Sequence, residues 1–122
     1  IDSGLFKPVM LATVKALDVD KEWYTTLNKV YRSRRNVAEV IMTELGCTFD
    51  PSQRGLFLWG RIPDDIASSE TLADKVLYNA RVFITPGFIF GSNGERYIRI
   101  SLCATEENMR RALDRIREMN NK

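Results

Sequence analysis

The spacing of apolar positions changes along the chain, and each change marks an element. From Lys21, the residues Trp23, Leu27, Val30, Tyr31, Val37, Ile41 and Leu45 recur at helical spacing and predict one long amphipathic helix. Asp20 is placed to cap it, and Gly46 is the glycine expected just past its end. Upstream, Asp2-Ser3-Gly4-Leu5-Phe6-Lys7-Pro8 reads as a loop, with Pro8 in the first turn of a helix through Val9, Leu11, Ala12, Val14 and Ala16. Downstream, residues 47–50 suggest a short strand and residues 51–54 a turn. Leu56-Phe57-Leu58-Trp59 is then apolar at four successive positions. Such a strand needs cover on both faces, from this chain's helices on one and a second domain on the other, and Phe57 and Trp59 read as core residues.

After the loop of residues 61–65, Ser68 or Ser69 caps a helix over residues 70–81 with Leu72, Val76, Leu77 and Ala80 inward. Val82-Phe83-Ile84 has the β-branched and aromatic content of a strand. A Pro-Gly bend and a glycine-punctuated loop follow, then Tyr97-Ile98-Arg99-Ile100-Ser101. In that strand Ile98, Ile100 and Leu102 take one face, and Tyr97, Arg99 and Ser101 the other. Thr105 caps a last helix, with Glu106 and Glu107 in its first turn and Met109, Ala112, Leu113 and Ile116 inward. This order predicts an α/β fold: a two-layer sandwich of a small, mostly antiparallel or mixed sheet with helices on one face, preceded by a long interdomain helix.

The totals narrow the function. A chain of 122 residues is about one domain, small for a complete metabolic enzyme. A net charge of +2 with no nucleic-acid motif gives no reason to expect DNA or RNA; Arg32, Arg34 and Arg35 cluster on the long helix but read as a solvated face or as interdomain ion pairs. No apolar run approaches a membrane span and no signal-peptide pattern opens the chain. Cys47 and Cys103 have no metal-site spacing and read as buried thiols in a reducing cytosol. The absence of histidine removes the commonest general base and the histidine-based nucleophilic triads, and no metal site is expected. Starting at Ile1 without an initiator methionine, it reads as a piece of a longer polypeptide.

Arg99 is the candidate binding residue. Its planar fork matches a carboxylate or phosphate with two parallel hydrogen bonds, which a lysine cannot do. On pattern alone it reads sooner as an arginine on a solvated sheet face.

The Pro86-Gly87-x-x-Phe90-Gly91 element followed by Tyr97-Ile98-Arg99-Ile100-Ser101 resembles the C-terminal part of pyridoxal-phosphate-dependent class I/II aminotransferases, the aspartate aminotransferase superfamily of fold type I. The Asp2-Ser3-Gly4-x-Phe6-x-Pro8 phrase resembles the segment following that family's cofactor lysine. Gly55-x-Phe57-x-Trp59 resembles a strand of its small domain. The resemblance implies that residues 1–20 join from the large domain and that residues 21–122 form the small domain, which moves over bound substrate. It implies that Arg99 binds the substrate α-carboxylate. It also implies that the lysine holding pyridoxal 5'-phosphate as a Schiff base lies upstream, so that this chain alone is inactive. The whole enzyme would be a cytoplasmic homodimer of amino acid metabolism, acting on an amino acid and a 2-oxo acid. The alternative is a stand-alone α/β module in which Arg99 captures a small carboxylate.

Overall fold

The computed structural model describes residues 4–122, so Asp2 and Ser3 of the expected opening loop lie outside the described residues. The chain divides into two compact units between Val30 and Tyr31, within a single long helix. The first unit holds α1 (Lys7–Leu17), with proline in its first turn as expected, and the start of α2 (Lys21–Glu44). The Trp23 N–H bonds the Asp20 carbonyl at 3.0 Å as α2 begins. No residue of α1 is buried, and Trp23 and Val30 are exposed, so the buried stripe of α2 is only its later part: Val37, Ala38, Ile41 and Met42.

The second unit is a three-stranded antiparallel sheet with helices. Its strands are β1 (Phe57–Arg61), β2 (Thr85–Pro86) and β3 (Tyr97–Ser101), in the order β1-β3-β2. Two further helices are α3 (Ser69–Ala80) and α4 (Glu106–Asn120). Both begin at hydroxyl caps, Ser68 accepting from the Thr71 N–H at 3.1 Å and Thr105 from the Asn108 N–H at 3.3 Å. Gly46, at φ +71°, supplies the left-handed turn that ends α2. The fold class is that read from the sequence: α/β, with a small antiparallel open sheet.

Register decides which residues face the core. Trp59 of β1 pairs with Arg99 of β3, and Arg99 pairs with Thr85 of β2. The residues between them, Leu58, Gly60 and Ile98, are buried, and Leu58 and Ile98 join α2, α3 and α4 in one apolar cluster through Met42, Val76 and Ile116. Gly60 is glycine for space: a Cβ there would stand 2.5 Å from the Met42 sulfur.

Two strand expectations are corrected. Val82-Phe83-Ile84 is not a strand. The β2–β3 register would set Phe83 opposite Ser101, where β3 ends and turns away, so only Thr85 and Pro86 find partners. Pro86, lacking an N–H, sits on the outer strand, where none is needed. Residues 47–50 contribute one bridge, Thr48 to Arg61, with bonds of 3.0 and 2.7 Å. Elsewhere on the β1 edge, the Gln53 side chain donates to the Trp59 carbonyl at 2.8 Å and accepts its N–H at 2.9 Å. These contacts cover polar groups that would otherwise invite another strand.

Because Ile98 is wholly buried in the central strand, Ile98→Ala is expected to cost about 2–5 kcal/mol, read from the shift in the denaturant midpoint. A loss under about 1 kcal/mol would mean that the core is not organised around β3.

Candidate functional site

The alternation that buries Ile98 turns Arg99 to the opposite, open face. There its guanidinium carbon lies 4.1 Å from the centre of the Phe57 ring, 4.2 Å from that of Phe90 and 6.0 Å from that of Trp59. Trp59 and Phe90 meet edge to face with centroids 5.4 Å apart. Two apolar residues read as core from the sequence are therefore walls of the site: Phe57 is exposed and Trp59 half-buried. Register puts them there, since Trp59 pairs with Arg99 and Phe57 with Ser101 of the same face, while Phe90 arrives from a loop.

Glycines shape that loop. A short 3-10 turn, Gly87–Phe90, is followed by a second, Ser92–Gly94, with Gly91 at φ +118° between them. The backbones of Gly87 and Gly94 cross in contact, so a Cβ on either would collide with the other's carbonyl. This crossing folds the loop back and delivers Phe90 to the Arg99 face.

Two arginines three residues apart have opposite fates. Arg96, passed over in the sequence reading, donates to the carbonyls of Ile66, Ala67 and Pro63 and lies 3.8 Å from Asp64. Together with the Ile62 N–H to Arg96 carbonyl bond at 2.9 Å, it pins the segment between β1 and α3 to the start of β3. Arg99, among the described residues, has no ion-pair partner. Its Nε is buried without a hydrogen-bond partner. A fork with free donors beside three aromatic rings, at an open sheet face, can take a planar oxyanion by two parallel charge-assisted bonds.

The other candidates resolve differently. Of the arginine cluster on α2, Arg34 bonds the Leu102 carbonyl at 3.0 Å and lies over the Tyr31 ring, and Arg35 bonds the Gly55 carbonyl at 3.3 Å. These two brace the fold and are half-buried, where a solvated face or interdomain ion pairs were expected; Arg32 is exposed. Glu106, at the start of α4, is held below the usual carboxylate range by the Ser33 hydroxyl, then by Arg110. Among the described residues no three His, Cys, Asp or Glu converge as a metal site, and no helix is long and apolar enough to cross a membrane. Cys47 is buried, and burial pushes its thiol up to about 11; Cys103 is exposed, contrary to expectation, because it follows the end of β3 in an outer turn.

Known proteins resemble this chain in sequence and in fold. The family model for class I and II aminotransferases matches residues 3–116. The chain is 33% identical over 118 residues to transaminase BacF of Bacillus subtilis, covering 96% of this chain and 30% of that protein. It is 34% identical over 119 residues to the LL-diaminopimelate aminotransferase of Moorella thermoacetica, covering 98% and 30%. The solved structure of a probable N-succinyldiaminopimelate aminotransferase from Thermus thermophilus superimposes with a TM-score of 0.79 at 29% identity, over 98% of this chain and 32% of that one. The chain thus spans about 30% of the length of the curated relatives it matches.

Two outcomes test the site's geometry. Gly94→Ala should cost roughly 1–3 kcal/mol in denaturant unfolding, because backbone rather than a pliant side chain must give way; an unchanged midpoint would mean the crossing does not hold the loop. Iodoacetamide at pH 8, followed by peptide mapping, should modify Cys103 and spare Cys47, whose thiol stays protonated until about pH 11. Equal modification of both would contradict the burial of Cys47.

Proposed function

The chain belongs to the class I and II aminotransferases, and on that premise we propose that it is the part of a pyridoxal-phosphate-dependent aminotransferase that grips the substrate's α-carboxylate through Arg99. The observation that carries this reading is the free fork of Arg99 on the open face beside three rings, with no protein carboxylate to satisfy it among the described residues. The enzyme transfers an amino group from an amino acid to a 2-oxo acid. Both carry the carboxylate that Arg99 holds, so one arginine serves both half-reactions.

Residues 21–122 act as the small domain of the full-length enzyme and residues 1–20 as the segment joining it to a large domain. The compact unit from Tyr31 onward supports a domain of this kind, with its start inside α2 rather than at residue 21. The exposed apolar side chains of α1, among them Val9, Met10, Leu11 and Val14, support a covering body within a full-length homodimer.

Pyridoxal phosphate, when bound, supplies the electron sink that lets the substrate's Cα proton leave. The resemblance places the lysine that holds it before the Asp2-Ser3-Gly4 phrase, and the six lysines here, all exposed, sit in no matching motif. We therefore assign the cofactor lysine to a part of the enzyme outside this chain, and expect this chain alone to be inactive. Its own contribution is orientation. Two bonds from one rigid fork fix the carboxylate's plane, and with it the direction of the Cα–H and the amino group, as an effective molarity requires. The rings around Arg99 limit the water that would compete for the fork.

In the full-length enzyme, Arg99→Ala should lower kcat/KM for amino acids by about two to three powers of ten, the consequence of leaving a carboxylate unpaired in a closed site. Arg99→Lys should recover only part of this, since a point charge replaces a fork. Undiminished turnover by Arg99→Ala would overturn the assignment.

A further inference from the structure

We propose that Phe57 and Phe90 are positioning residues that hold Arg99 so that it takes the carboxylate end-on, through Nη1 and Nη2 together; this rests on the carboxylate reading above. An arginine side chain can present two edges to a carboxylate, one made by Nε with one Nη and one made by the two Nη groups. Here Nε is buried with no partner, which removes the first edge from a ligand's reach. Among the described residues neither Nη is buried without a partner and no carboxylate pairs with either, which leaves the second edge for a ligand.

The rings account for this choice. With ring centres 4.1 and 4.2 Å from the guanidinium carbon, Phe57 and Phe90 occupy the space into which the side chain would rotate. Each contact is also an attraction between the cation and the face of a ring, strongest where water is displaced. The Arg99 backbone is held by pairing to β1 and β2, but pairing does not set the outer torsions of a long side chain. The rings set them before the ligand arrives, so less freedom is lost when the two bonds form. Phe57 is fixed by its strand, opposite Ser101. Phe90 depends on the Gly87–Gly94 crossing, which gives that crossing a reason in binding as well as in folding.

The test uses the full-length holoenzyme and propionate, a small carboxylate with an apolar tail, with binding followed by calorimetry. Arg99→Ala should abolish propionate binding. Phe90→Leu, which keeps apolar bulk but removes the ring face, should weaken it roughly fivefold. It should raise KM for the amino acid by a similar factor with kcat held, and Phe90→Tyr should recover most of the loss. Propionate binding by Phe90→Leu equal to the parent's, with Arg99→Ala abolishing it, would overturn the positioning role and leave the carboxylate reading standing. Parental binding by Arg99→Ala would remove both. A lowered melting midpoint and kcat in Phe90→Leu at constant KM would show Phe90 as a filler of the fold and overturn the proposal.

Discussion

The central strand β3 has to satisfy two environments with one alternation. It is paired on both sides, by β1 and β2, and so cannot shift against one neighbour without losing the other. A slip of one residue would place Arg99 where Ile98 is wholly buried and turn Ile98 outward. The apolar cluster formed with α2, α3 and α4 therefore does more than stabilise the sheet. By holding Ile98, it fixes the side on which the guanidinium emerges, and the rest of the open face is assembled around that point.

The protein uses its arginines in two ways. Arg96, Arg34 and Arg35 give their donors to backbone carbonyls at places where the chain turns without regular structure. These bonds replace the ladder that a strand would have provided there. Arg99 is kept from such partners by its surroundings, which are aromatic and offer a ring face rather than an oxygen. An arginine packed against rings keeps its charge, and its remaining donors stay free. The contrast between Arg96 and Arg99 follows from position in the same strand segment: one at its entry, within reach of a loop's carbonyls, the other at its centre, above the sheet.

What was legible in the sequence was local. Helix starts at Ser68 and Thr105, the stop at Gly46 and the two faces of residues 97–102 all follow from bonds or torsions within a few residues. The family also could be recognised, because its loop and strand motif is contiguous. What escaped was set by distant partners. Whether Val82-Phe83-Ile84 pairs depends on where β3 ends, about eighteen residues on. Whether Cys103 is buried depends on the direction of the turn after β3. That Phe57 and Phe90 converge on Arg99 depends on strand order and on a loop closed by two glycines, neither of which has a local signature. The apolar pattern marked Phe57 and Trp59 as important; only the register could say that they line the open face.

If β3 displays Arg99 as an oriented, end-on carboxylate fork, a crystal structure of the full-length enzyme with a bound 2-oxo acid will show both carboxylate oxygens at about 2.7–2.9 Å from Nη1 and Nη2 of Arg99, with Phe57 and Phe90 still against the guanidinium. A carboxylate bound elsewhere, or Arg99 paired with an acidic side chain of the enzyme itself, would contradict it.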